Sequence, residues 1–368
     1  MKEFVTIVYA NRNRDLKRIK ASFDSLKNHP EANFRVVFVD YGSEEPLVDS
    51  LKQLCNSYEF ITPYFLPVSQ LLWNKSKALN YGISQTQLPY IFIADVDLIF
   101  HPETVTLFNK LAVEDKFFLF KLGYLDRTES GKLTKNYNFE DLDPNRFGEV
   151  NGMILAPTIA FLGVNGLDEF FHFYGSEDED LFARLENSGY KREVNNEAYF
   201  YHNWHQSFAG SEDEIITGNP RVKNIMRINQ RHFLRNREKG LIKPRRQTEM
   251  GKIVGKVESD LLQKPTKIVK IHNILSHVEH FLGEELPSYT GEIIKVEFVE
   301  DPYFHTLKHK FKKLLGKQTQ PYCSLKEVND MVLKEILFKY RDANYSFKIS
   351  EDLKIITYIL DQKNKEFL

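Results

Sequence analysis

The sequence predicts an α/β protein with a Rossmann-like, mostly parallel central sheet, followed by a mainly helical C-terminal region. Three observations carry this reading. Through the first hundred residues, short β-branched and aromatic runs alternate with amphipathic stretches, the pattern of parallel strands joined by right-handed crossover helices. The runs are almost wholly apolar, as strands buried on both faces are. After Gly255 the alternation stops, and apolar residues recur at helical spacing in three later stretches.

Residues 4–9 (Phe-Val-Thr-Ile-Val-Tyr) read as the first strand, leading into the polar loop Ala10-Asn11-Arg12-Asn13-Arg14. Leu16, Ile19, Phe23 and Leu26 space a helix over 15–28. Residues 34–39 form the second strand and end in Asp40-Tyr41-Gly42-Ser43, a turn signal. A helix over 46–57, an extended run at 59–65 and a helix over 75–86 follow, and Tyr90-Ile91-Phe92-Ile93-Ala94 is the next strand. Residues 117–121 read as a strand, 126–149 as a polar loop, and 177–187 as a helix closed by Gly189. A helix is expected over 220–238. Beyond it, Leu307, Phe311, Leu314 and Leu315 mark an amphipathic helix, and Ser324 with Glu327 makes a capping box. Ser350 is expected to cap a last helix carrying Leu353, Ile356 and Leu360. The boundaries implied are a sheet domain over 1–240 and an accessory region over 241–368.

Composition narrows the function classes. With 368 residues, 42% hydrophobic and 27% charged, the chain can bury a large core. A net charge of −1 excludes a globally basic nucleic-acid binder. Cys55 and Cys323 are far apart and form no zinc or redox motif. No run approaches the roughly 20 apolar residues of a membrane span. A cytoplasmic protein is the expectation.

Chemistry concentrates at strand ends. Asp95 and Asp97 follow a buried strand, at the edge where α/β sheets bind ligands. Their hard oxygens suit Mn²⁺ or Mg²⁺ gripping a diphosphate; the bland reading is a strand end and a solvated turn. Asp40 can accept the imide N–H of a uracil base or open an Asx-turn. Lys75, Lys77 and Asn80 lie on the helix entering the Asp95 strand, with 77 and 80 on one face. The run Glu177-Asp178-Glu179-Asp180 either caps a helix or supplies a general base. His202 and His205 either complete a metal site with Asp97 or are ordinary core or surface residues.

Taken in order, Asn-Arg after strand one, Val-Asp-Tyr-Gly-Ser (39–43), Asn-Lys-Ser-Lys-Ala-Leu-Asn-Tyr-Gly-Ile (74–83), Ala-Asp-Val-Asp (94–97), Gly-Ser-Glu-Asp-Glu-Asp-Leu (175–181) and Tyr-His-Asn-Trp-His (201–205) resemble a GT-A nucleotide-sugar glycosyltransferase of the family 2 type. The acidic helix start and the later histidine are similar to the β-1,4-galactosyltransferase and chondroitin-polymerase branch. The resemblance covers about residues 3–240. It implies a metal-dependent inverting transferase that moves a sugar from a UDP-sugar to a hydroxyl of a glycan, such as a capsule, lipopolysaccharide or other polysaccharide precursor. By position it implies donor contacts from Asn11, Arg12, Asp40, Lys77, Asn80 and Asp95. Metal ligands would be Asp97, His205 and His202, holding Mn²⁺ or Mg²⁺. Glu177 and Tyr174 would meet the acceptor, and Asp178 would be the base. Two positions depart from the family: Tyr174-Gly175-Ser176 stands for Trp-Gly-Gly, and Tyr41 stands for the second acid of Asp-Asp-Gly-Ser.

Two other classes fit less well. A nucleotidyltransferase would carry a glycine-rich loop after strand one, and this loop has no glycine. A non-catalytic sugar-binding scaffold would have no use for Asp95, Asp97, Asp178 and His205 together. In the C-terminal region, lysines flank the apolar stripe of 305–317. That is the character of a helix on an anionic membrane surface, on the inner face for a cytoplasmic protein, or of a helix packed on the domain with solvated lysines.

Overall fold

A computed structural model describes residues 4–27, 29, 33–134, 137–148, 152–206, 213–245, 249–317 and 319–363. The chain forms two compact units: Met1–Ser69, Trp73–Ser207 and Met226–Ile253 make the first, and Gln70–Leu72, Phe208–Ile225 and Val254–Leu368 the second.

In chain order the elements up to residue 240 are β1 (Val5–Asn11), α1 (Leu16–Lys27), β2 (Phe34–Asp40), α2 (Glu45–Asn56), β3 (Ile61–Phe65), α3 (Lys75–Ser84), β4 (Tyr90–Ala94), β5 (Leu98–Phe100), α4 (Thr104–Leu111), β6 (Lys116–Phe120), β7 (Leu122–Tyr124), α5 (Arg127–Lys132), β8 (Arg146–Gly148), β9 (Ile154–Pro157), α6 (Thr158–Gly163), α7 (Glu177–Asn187), β10 (Lys191–Asn195), β11 (Phe200–His202) and α8 (Ile225–Glu238). Among the described residues, seven strands form a sheet in the order β10-β6-β9-β4-β1-β2-β3. Neighbours are parallel except at β9, which runs against β4 and β6. This is the Rossmann-like, mostly parallel α/β architecture expected from the strand–helix alternation, and the fold the family resemblance implies.

The apolar runs explain the layers. β4 is buried along its whole length, and α1 buries Ile19, Phe23 and Leu26. α3 packs so closely on the sheet that a Cβ built on Gly82 would lie 2.6 Å from Val8 Cγ1. Any side chain at 82 would therefore lift the helix off β1. The registers then fix the ligand edge. Asn11 pairs with Asp40 and Tyr9 with Ala94, so Asn11, Asp40 and Asp95 arrive together at the carboxyl ends of three adjacent strands.

A second sheet, β5-β11-β7-β8, brings the histidines in. β11 pairs antiparallel with β5, placing His202 opposite Leu98. Phe200 of β11 is fixed in an aromatic cluster, with ring centroids 5.2 Å from Phe92 and 5.1 Å from Phe120. Residues 126–149, expected as a loop, carry α5 and β8. The Asp126 side chain caps α5 by accepting from Glu129 N at 2.8 Å.

The second unit contains α9 (Lys256–Leu261), β12 (Lys267–His272), α10 (Leu275–His280), α11 (Leu286–Ser288), β13 (Ile293–Val299), α12 (Leu307–Leu314), α13 (Leu325–Glu335), β14 (Tyr345–Ile349) and β15 (Ile355–Asp361). Helices are prominent, as expected, and the Ser324–Glu327 capping box is present. A sheet in the order β12-β13-β15-β14 is an addition to the sequence reading. The expected last helix is corrected. Ser350 Oγ accepts from Lys354 N and Ile355 N, closing a turn, and residues 355–361 form strand β15 with alternating burial. The β-branched run Ile355-Ile356-Thr357 favours that outcome. Cys55 and Cys323 are free and buried. Among the described residues no helix is long and apolar enough to cross a membrane.

Candidate active site at the carboxyl edge of the sheet

Asp95 and Asp97 occupy the turn between β4 and β5. Their side chains belong to two adjoining clusters. Asp97 is 7% exposed, and its Oδ2 lies 3.3 Å from His205 Nε2 and 3.7 Å from His202 Nε2. A backbone bond from Asn203 N to Asp97 O, 2.9 Å long, ties the segment after β11 to this turn. Burial pushes the Asp97 carboxyl up. The His205 hydrogen bond and the charges of His202, His205 and Arg14 outweigh burial and hold it below its ordinary value. Burial depresses His202, which favours neutral imidazole, and the bond to Asp97 raises His205.

This cluster fits a divalent cation. One atom from each of Asp97, His202 and His205 lies within 4.8 Å of the others. Asp97 Oδ1 is buried and has no hydrogen-bond partner, an arrangement that otherwise costs free energy. One hard oxygen with two imidazole nitrogens suits a Mn²⁺-like ion.

The second cluster centres on Lys75, the first residue of α3. Its Nζ lies 2.7 Å from Asp95 Oδ1 and 3.9 Å from Glu177 Oε1. Burial lowers the Lys75 ammonium, but Asp95 and Glu177 more than offset this and raise it. Burial raises Glu177, Lys75 pulls it back, and Asp178 adds to the rise. Gly152, just before β9, leaves this space open: a Cβ built there would lie 3.7 Å from Lys75 Nζ and 3.9 Å from Asp178 Oδ2. A small pocket is lined here by Lys75, Gly152, Leu167, Glu177, Asp178 and Phe182, among others.

Helical periodicity separates the four acids at the start of α7. Glu177 faces Lys75 and also accepts from Gly175 N at 3.1 Å. Asp178 Oδ1 accepts from Glu179 N at 2.8 Å. Glu179 Oε2 is 4.0 Å from Arg192 Nη2. Asp180 is buried, 2.7 Å from Arg184 Nε. The helix starts from backbone held at positive φ at Phe173 (63°), Gly175 (100°) and Ser176 (69°), costly for the two non-glycine residues. Asn229 Nδ2 holds that loop by donating to His172 O at 3.1 Å and Tyr174 O at 2.9 Å. The Tyr174 ring is left 57% exposed.

The remaining expected residues fall as follows. Asp40 is buried. Its Oδ1 accepts from Asn11 Nδ2 at 2.7 Å and from Ser43 Oγ, and its Oδ2 accepts from Ser43 N at 2.9 Å. Asp40 thus closes the turn after β2 through Ser43, and Asn11 Oδ1 is left buried without a partner. Arg12 Nη2 donates to Ser69 O at 2.7 Å. Lys77 and Asn80 engage the 167–169 segment. Lys77 Nζ is 3.4 Å from Glu169 Oε2, and Asn80 Nδ2 donates to Glu169 Oε1 and Leu167 O, both at 2.9 Å. At about 100° per residue, positions 75 and 77 point to different sides of α3, so Lys75 is the cation that reaches Asp95. Lys75 was open to the sequence reading as one of three polar residues on that helix. Gly152 carried no signal. Tyr124, whose ring centroid lies 5.3 Å from that of His202, was hidden in a strand.

The carboxyl edge of the sheet thus carries an acid-and-histidine cluster that fits a cation, beside a carboxylate-rich pocket. Residues 5–161 match the sequence model of glycosyl transferase family 2, and residues 140–206 match the model described as the N-terminal domain of galactosyltransferase. The N-terminal part of the chain thus carries the sequence signature of glycosyl transferase family 2 on its Rossmann-like sheet. Its solved structural neighbours include S. aureus TarS 1–349 in complex with UDP, at 18% identity and TM-score 0.41, covering 55% of this chain and 60% of that one. Another is the mannosyltransferase PcManGT from Pyrobaculum calidifontis in complex with GDP-Man and Mn²⁺, at 14% identity and TM-score 0.42, covering 58% and 60%. Each match spans less than two thirds of the other protein. No curated protein sequence matches the chain.

Proposed function

We propose that the protein is an inverting glycosyltransferase that moves a hexosyl or N-acetylhexosaminyl group from a UDP-sugar to a hydroxyl of a glycan or lipid-linked glycan acceptor. The observation that carries this reading is the adjacency of two clusters on one turn, Asp97–His202–His205 and Asp95–Lys75–Glu177–Asp178. The family match over residues 5–161 supports it.

Asp97, His202 and His205 would hold Mn²⁺ or Mg²⁺, which when bound neutralises charge on the departing diphosphate. Asp40 fixes Asn11 by their 2.7 Å bond, leaving the Asn11 amide oxygen to accept an N–H from the uracil. Glu177 and the exposed Tyr174 ring orient the acceptor. Asp178 takes the proton of the attacking hydroxyl. That oxygen bonds to the anomeric carbon, the bond from this carbon to the diphosphate oxygen breaks, and the electron pair leaves with UDP. Lys75 keeps Asp95 and Glu177 from repelling the departing anion.

The test is incubation of the full chain with a panel of UDP-sugars, glycan acceptors and Mn²⁺ or Mg²⁺, reading UDP release and the anomeric configuration of the product by NMR. Metal-dependent UDP release with an inverted product is expected. A retained configuration, or full activity in excess chelator, overturns the reading. Pyrophosphate release from a sugar phosphate and a nucleoside triphosphate would make the protein a nucleotidyltransferase instead.

A further inference from the structure

Helix α12 is attached to the second unit by its less apolar side. His309 is 5% exposed, and its ring packs against Tyr303, Phe304 and Tyr322 at centroid distances of 5.7, 5.7 and 5.1 Å. The apolar stripe faces outward: Leu307 is 80% exposed, Phe311 65%, Leu314 81% and Leu315 59%. A helix that merely packs on its own domain does the reverse. These four side chains therefore do not pack on the second unit.

The charge around the stripe selects an occupant. At about 100° per residue, the four apolar side chains span an arc of roughly 100°, bordered by Lys308 on one side and Lys310 on the other. Lys312 lies farther around, Lys317 follows the helix, and no acid occurs between Asp301 and Glu327. The centre of a protein–protein interface is depleted of lysine. Lysines beside an apolar stripe instead lay their stems along acyl chains and hold their ammonium groups among lipid phosphates.

We infer that α12 is an interfacial anchor that lays Leu307, Phe311, Leu314 and Leu315 into the surface of an anionic phospholipid bilayer. This goes beyond the transferase reading and does not depend on it. A single short helix gives reversible attachment, graded by lipid charge and salt.

The experiment is flotation of the full chain with vesicles of phosphatidylcholine alone or with about one third phosphatidylglycerol, at about 50 mM and about 500 mM salt. Binding to the anionic vesicles at low salt is expected, weakened by salt and by omission of the anionic lipid. Substituting Lys308→Gln and Lys310→Gln should each cost roughly fivefold in partitioning. Phe311→Ser with Leu314→Ser should remove most binding without changing the melting temperature, since both side chains are exposed. A Phe311→Trp variant should show a blue-shifted, brighter emission on adding anionic vesicles. Absence of wild-type binding at low salt overturns the proposal, as does undiminished binding by the double serine variant. So does a solution dimer that the serine substitutions dissociate, which would make the face a contact between copies. None of these readouts uses transferase activity, so failure here leaves the transferase reading standing.

Discussion

Asp95 and Asp97 are separated by one residue yet face different partners: Asp95 Oδ1 lies 2.7 Å from Lys75 Nζ, while Asp97 Oδ2 lies 3.3 Å from His205 Nε2. One turn therefore feeds a cation site on one side and an acid–lysine pocket on the other.

The two acids should separate in metal binding. Asp97→Ala should lower Mn²⁺ affinity, measured by calorimetry without donor, by more than about a hundredfold. Asp95→Ala should stay within the roughly 10–100-fold typical of outer-shell partners. Equal losses would make Asp95 a direct ligand.

Asp178→Asn is nearly isosteric but cannot take up the proton. Turnover should fall by about 10²–10⁴, with UDP binding retained. Unchanged turnover at saturating acceptor would move the base to Glu177.

Lys75→Met removes the main influence that holds the Glu177 carboxyl down, leaving burial and Asp178 to push it further up. The acid limb of the pH profile of kcat/KM should therefore move to higher pH. A limb that stays in place would show that Glu177 ionisation does not govern transfer.

The core beneath α7 should be sensitive to charge removal. Asp180 and Arg184 are both 1% exposed, and Arg184 Nη1 also donates to Val164 O and Gly166 O. Asp180→Ala leaves a buried guanidinium without its counter-charge and should cost about 3–5 kcal/mol in urea unfolding.

Asp168 should add a pH dependence of definite sign. Burial raises its carboxyl, but the His232 bond at 2.8 Å and the His232 charge outweigh burial and hold it low. Such a group contributes stability above its unfolded-state pKa and loses it as pH falls through the folded value. Stability should therefore drop on the acid side, and Asp168→Asn should be less stable at neutral pH with a flatter acid dependence. An unchanged slope would assign the acid sensitivity elsewhere.

The first hundred residues were legible almost to the residue because strands buried on both faces leave continuous apolar runs and the intervening helices are amphipathic. Tyr90–Ala94 is the clearest case. The Lys75–Lys77 distinction was not legible. Which side of α3 meets the site depends on the 166–169 segment, more than eighty residues downstream, which engages Lys77 and Asn80. The C-terminal strands were missed for another reason. β12 is largely exposed and β15 alternates, so short apolar spacings there fit either a helix or a strand until a partner fixes the register. The Asp97–His205 pairing joins residues far apart in the chain, and only the ordered motifs pointed to it.

The reversed direction of β9 sets where variation can enter the site. Because β9 runs against β4, the residues before it, not those after it, reach the carboxyl edge. Gly152, just before β9, therefore lies beside Asp178. On the proposed transferase reading, position 152 would gauge the size of the acceptor. An added methyl group would sit at ordinary contact distance from Lys75 and Asp178, whereas a branched side chain would crowd both. On that reading, substitutions at 152 would change acceptor preference without touching Asp97, His202 or His205.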